Sequence, residues 1–181
     1  MRHIVGGWTF SGIAAFQSGN PLTIYSNNNS SELNNNLDRP DLTGPIKVFS
    51  DPRRIQTLSG DCGGGTGMFW FDPTNLICTV DYTGSTNPDF PAVPGGVPLF
   101  THGNMGRNMI RGPGINNWDL SIMKNISIGE NNSLQFRGEF FNAFNHVQFL
   151  SPNSNAHSRT FGQVTSDRGP RVIQLALKMY F

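Results

Sequence analysis

The sequence predicts an all-β chain: a segment of an antiparallel transmembrane β-barrel that carries one long extracellular loop. Three observations lead there. Four stretches alternate apolar and polar residues with a period of two, each near the 9–11 residues, roughly, that a tilted barrel strand needs. The connections between them are short on one side and long on the other. No run approaches the about 20 apolar residues of a spanning helix.

The first stretch, "GGWTFSGIAAFQSG" (about 6–18), sets Trp8, Phe10, Gly12, Ala14 and Phe16 against Thr9, Ser11, Ile13, Ala15 and Gln17, and Pro21 marks a bend or break beyond it. The second, "NNWDLSIMKNISIG" (about 116–128), sets Trp118, Leu120, Ile122, Ile126 and Ile128 against Asn117, Asp119, Ser121, Met123, Asn125 and Ser127. The third, "SLQFRGEFFNAF" (about 133–145), sets Leu134, Phe136, Gly138, Phe140 and Phe144 against Gln135, Arg137, Glu139 and Phe141. The fourth, "RVIQLALKMYF" (about 171–181), sets Ile173, Leu175, Leu177, Met179 and Phe181 against Gln174, Ala176, Lys178 and Tyr180. The four stretches share one design.

Only "GENN" separates the second and third stretches, a tight turn, whereas residues about 26–115 and 147–169 form long polar connections. Hydrocarbon offers no hydrogen-bond partner to the backbone, so only helices and closed barrels span it. Short turns on one rim and long loops on the other are the build of an outer-membrane barrel, and that asymmetry places residues 26–115 outside the cell. Trp8, Trp118, Phe144, Tyr180 and Phe181 lie near strand ends, where interfacial aromatic girdles sit. Lys124 is the exception, a cation on the apolar face, for which snorkelling to headgroups or a bulge are the two escapes.

Composition agrees. Of 181 residues 14% are charged, against about 25% in a typical soluble domain, and Asn, Ser and Gln rather than Lys and Glu occupy the polar faces. The net charge of +1, without a Lys/Arg run, argues against nucleic acid as a partner. "MRHIVGGWTF" has neither an apolar h-region nor a cleavage site, so an exported product is expected to begin upstream.

Taken in order, "GGWTFSGIAAFQSGNPLTI", "NMGRNMIRGPGINNWDLSIMKNISI", "LQFRGEFFNAFNH" and "FGQVTSDRGPRVIQLALKMYF" resemble the C-terminal end of TonB-dependent outer-membrane receptors, in particular the Oar-like barrels that carry a carboxypeptidase-regulatory-like domain. The resemblance implies the last four strands of a barrel of about 22, whose N-terminal strands and plug lie outside this chain. It implies uptake of a large or scarce solute, energised by the TonB complex through the full-length parent, and inactivity of the isolated piece. Ile173, Leu175, Leu177, Met179 and Phe181 resemble the terminal signal read by the barrel-assembly machinery. The surrounding partner is outer-membrane lipid, and the location the bacterial outer membrane.

Candidate sites are few. Phe69, Trp70 and Phe71 of "MFWF" sit in the long loop, either as a ligand-capturing surface or as the filling of the loop's own small core. Asp119, Arg137 and Glu139 face the expected lumen, as solute contacts or as cross-strand pairs lining the wall. Cys62 and Cys78 read as a loop disulfide, with two buried thiols as the alternative. No zinc spacing, Ser/His/acid grouping or P-loop is present: "GDCGGGTG" lacks the Lys and following Ser/Thr of a P-loop, and His3, His102, His146 and His157 are scattered. The chain is therefore expected to be neither an enzyme nor a metal or cofactor binder. A secreted β-sandwich binding module and a small autonomous barrel or adhesin remain the other two readings, the latter needing spanning strands within residues 26–115.

Overall fold

The structure, a computed structural model, describes residues 5–26, 38–49, 51–81, 94–98 and 101–181. His3 lies outside them. The elements in chain order are β1 (Trp8–Gln17), β2 (Pro21–Leu22), β3 (Asp41–Leu42), β4 (Ile55–Gly60), β5 (Gly63–Met68), β6 (Leu76–Ile77), β7 (Val80–Asp81), β8 (Val97–Pro98), β9 (Ile110–Arg111), β10 (Ile115–Ile128), β11 (Asn132–Phe141) and β12 (Val172–Tyr180). They fall into two compact units, one of Met1–Ser18, Gly114–Phe149 and Asp167–Phe181, the other of Gly19–Pro113 and Leu150–Ser166.

The first unit is a four-stranded sheet in the order β1-β10-β11-β12, antiparallel throughout. One row of the ladder runs Trp8, Lys124, Phe136, Leu177, and another runs Gly12, Leu120, Phe140, Ile173. Directly paired residues share a face, so the apolar sides of all four strands coincide. The rows between them, such as Ser11, Ser121, Glu139, Gln174, hold the polar side chains. Gly129, at φ 82°, starts the tight turn from β10 to β11.

Strand limits agree with the sequence to within a residue or two, with one correction. The third strand stops at Phe141 rather than near residue 145, because Asn142 and Asn145 take positive φ, 51° and 53°. Asn142 then closes the turn with its own side chain, accepting from the His146 N–H at 3.0 Å and donating to the His146 carbonyl at 2.9 Å. Phe144 therefore belongs to a turn.

The second unit, built mainly from the long connection, has no strand of spanning length among its described residues: its longest, β4 and β5, have six residues each and pair as a hairpin. β2 pairs with β9, so the chain does break before Pro21 instead of continuing β1. β3 pairs with β6, and β7 runs parallel to β8. Ile24, Phe71, Leu76, Met105, Ile110 and Phe161 are buried together with the Cys62–Cys78 disulfide, giving this unit a core of its own.

Candidate functional site

The sheet of the first unit has two chemically opposite surfaces. On the apolar one, Phe10 is 73% and Leu177 68% exposed, and β1 and β12 are exposed along their whole length. Among the described residues no second sheet covers these side chains, which is the reverse of a sandwich core. Side chains this large and this exposed match a hydrocarbon surround rather than water.

Lys124 resolves its conflict in neither of the two anticipated ways. The ladder passes through it unbroken, so no bulge re-phases the strand. Its ammonium donates to the Gly6 carbonyl and lies 4.8 Å from the centre of the Trp8 ring, leaving the residue only 6% exposed. A carbonyl dipole and a π-face thus substitute for water around the charge.

Aromatic rings gather at both ends of this face. Where β1 and β11 end, Trp118 meets Phe16 edge-on at 5.5 Å and Phe144 at 5.7 Å. At the other end Trp8 stacks on Phe10 at 6.2 Å. Tyr180 departs from the girdle pattern: it pairs with Ser133 on the polar face, where Lys178 Nζ sits 4.6 Å from its ring.

Of the three lumen candidates the structure joins two. Arg137 Nη2 contacts Glu139 Oε1 at 2.7 Å, a pair made along one strand between side chains two residues apart, not across the ladder. Asp119 is occupied elsewhere, accepting from the Asn142 N–H at 2.9 Å and from Asn117 Nδ2 at 3.0 Å. A cross-strand rung does form one step away, Gln135 Nε2 donating to Asn125 Oδ1 at 2.9 Å. Gln148, within the connection expected at 147–169, is buried and acts as a substitute strand: its amide accepts from the Asn116 N–H at 2.9 Å and donates to the Asn116 carbonyl at 2.6 Å. A lone Gln carries no sequence signal for that role.

In the second unit Phe69 and Phe71 are fully buried, Phe71 edge-on to Phe161 at 5.3 Å. They pack the unit's interior and offer no open ring to a ligand, which corrects the capture reading for both. Trp70 is half-buried against the same core, and its indole N–H donates to the Arg111 carbonyl at 2.8 Å. Cys62 and Cys78 are bonded. Beside them Asp61 accepts from the Cys78 N–H at 2.6 Å, from the Thr79 N–H at 2.7 Å and from the Thr79 hydroxyl. Partial burial pushes the Asp61 carboxyl up, but these hydrogen bonds and the nearby His157 outweigh it and hold the carboxyl below the usual carboxylate range. Elsewhere His102 Nδ1 meets the buried Asp38 at 2.8 Å. Among the described residues no group of three or more His, Cys, Asp or Glu is placed to hold a metal ion.

A family model described as an outer membrane beta barrel domain matches residues 1–174. The chain belongs to the outer-membrane β-barrel domain family. No curated protein and no solved structure matches it. Membership places this barrel domain in the bacterial outer membrane and gives its two-faced sheet a meaning, one surface toward lipid and the other toward the barrel interior. Among the described residues the sheet of this barrel domain is open: β1 and β12 are edges, each paired on one side.

Proposed function

We propose that this barrel domain is part of the wall of a TonB-dependent, Oar-like outer-membrane transporter that takes up a large or scarce solute, and that it catalyses no reaction. The coincidence of four apolar strand faces on one exposed surface is the observation that carries the reading. Open edges at β1 and β12 cannot stand in hydrocarbon with their backbone groups unpaired. Even small barrels use about 8 strands, so this wall needs neighbouring strands, and on the transporter reading these and a plug belong to a longer polypeptide. Ile173, Leu175, Leu177, Met179 and Phe181 engage the barrel-assembly machinery, acyl tails cover the apolar face, and the TonB complex acts through the parent's plug. Residues 26–115 then face the outside. A secreted sandwich is disfavoured by the uncovered apolar face.

The transport reading is tested by comparing which compounds of the medium are depleted by the parent strain, by a strain deleted for this gene and by one deleted for TonB. A solute spared by both deletions is expected. If the two deletions spare no compound in common, the transport reading fails.

A further inference from the structure

We propose that the second unit carries a binding cleft for a small anionic group, a carboxylate or a phosphate, held by Arg159 and His157 above the glycine run Gly63–Gly65. The cleft has a volume of about 530 Å³ and lies between the first residues of β5 and the turn around residues 156–159. Its size is that of small-molecule sites, about 300–1,000 Å³.

One wall is bare backbone. Gly63 and Gly65 have φ of 125° and 126°, values L side chains rarely adopt, so these two present main chain rather than side chains to whatever enters, while Gly64 between them has no room for a Cβ against the Leu58 carbonyl. The opposite wall is a turn fixed by its own polar groups. Asn153 Nδ2 donates to Ser158 Oγ at 2.8 Å and to Thr160 Oγ1 at 2.9 Å, and Asn155 Oδ1 accepts from the His157 N–H at 3.0 Å. The first wall is tied to the chain by the Cys62–Cys78 disulfide. Both sides are therefore ordered before a ligand arrives, which reduces the entropy lost on binding.

The groups still able to meet a ligand are Arg159 and His157. Asp61, the acid in the lining, directs both oxygens to the Cys78 and Thr79 donors described above. Arg159 is exposed and enters no ion pair with any described residue, and His157, two residues earlier in the same turn, is exposed as well. A guanidinium fork matches the paired oxygens of a carboxylate or phosphate, and an imidazole on the same turn supplies a further donor. The cleft reaches beyond the transport reading and does not require it, because binding is measured without uptake.

The test is calorimetric titration of the detergent-solubilised full-length polypeptide with citrate, with inorganic phosphate and with maltose as a neutral control. Saturable binding of citrate, phosphate or both, with none of maltose, is expected, and which of the two binds assigns the group. Arg159→Gln should weaken binding at least tenfold, as the loss of a charge-assisted hydrogen bond does. Arg159→Lys should retain part of it, and Arg53→Gln, at an exposed cation paired with Asp51, should leave it unchanged. His157→Gln supplies a second variant with a several-fold loss, and an intact disulfide on a non-reducing gel certifies each protein. Wild-type protein that binds neither anion, or Arg159→Gln protein that binds as tightly as wild type, overturns the proposal.

Discussion

Lys124 Nζ sits 4.8 Å from the centre of the Trp8 ring, on the face of the sheet that meets lipid. The ring and the Gly6 carbonyl make the charge tolerable, so the two members of the pair are not equivalent. Trp8→Ala strips the cover from an ammonium that stays behind, and should destabilise the barrel by about 2 kcal/mol or more. Lys124→Met removes the charge and keeps the length, and should be neutral to within about 1 kcal/mol or stabilising. Urea unfolding of the lipid-reconstituted protein reads both. Equal losses for the two variants would show that the pair is not a covered charge.

The period-two division of β12 gives a second expectation. Leu175→Arg points a cation into acyl chains and should cost about 2–4 kcal/mol, whereas Gln174→Arg, one residue earlier and on the row with Glu139, should cost about 0–1 kcal/mol. Membrane-inserted yield of the parent barrel separates them. A nitroxide label at each position adds an independent reading: oxygen should quench the label at residue 175, and a water-soluble relaxation agent the label at residue 174.

Phe71 is a core residue, and its truncation should behave as one. Phe71→Ala, which empties the space against Phe161, should lower the stability of the second unit by about 3–5 kcal/mol. Trp70→Phe, which loses the hydrogen bond to the Arg111 carbonyl and part of a half-buried ring, should cost less, about 1–2 kcal/mol. Limited proteolysis of the native protein ranks the two. A Phe71→Ala protein as resistant as wild type would return that ring to the list of surface groups.

Asp61 makes the second unit sensitive to acid. Its carboxyl titrates lower in the folded chain than in the unfolded one, so the folded state is favoured above the unfolded pKa of about 3.9 and loses that advantage as pH falls through the folded value. Protease resistance of this unit should therefore drop below about pH 4, and Asp61→Asn should flatten the drop while lowering resistance at neutral pH. An unchanged acid limb in Asp61→Asn would assign the sensitivity to other carboxylates.

The same region is held covalently. Cys62→Ala with Cys78→Ala opens a loop whose ends are 16 residues apart, and loop-closure entropy puts the loss at about 3 kcal/mol. Thermal unfolding of the double variant, compared with reduced wild type, measures it. Matching behaviour of the two is expected.

What the sequence determined by itself was the two-faced wall. Side chains of a strand alternate with a period of two whatever surrounds them, so Ile173, Leu175, Leu177 and Met179 declared one face without any knowledge of partners, and the "GENN" turn declared which strands are neighbours. The tertiary structure alone decided the rest, because it depends on distances between residues far apart in the chain. It turned Phe69 and Phe71 inward while Trp70 between them reached the Arg111 carbonyl, gave Lys124 the Trp8 ring, joined Arg137 to Glu139 but sent Asp119 to Asn142, and brought His157 and Arg159 to the glycines beside Cys62. Local periodicity encodes which way a side chain points, and only the folded path of the backbone sets what it meets there.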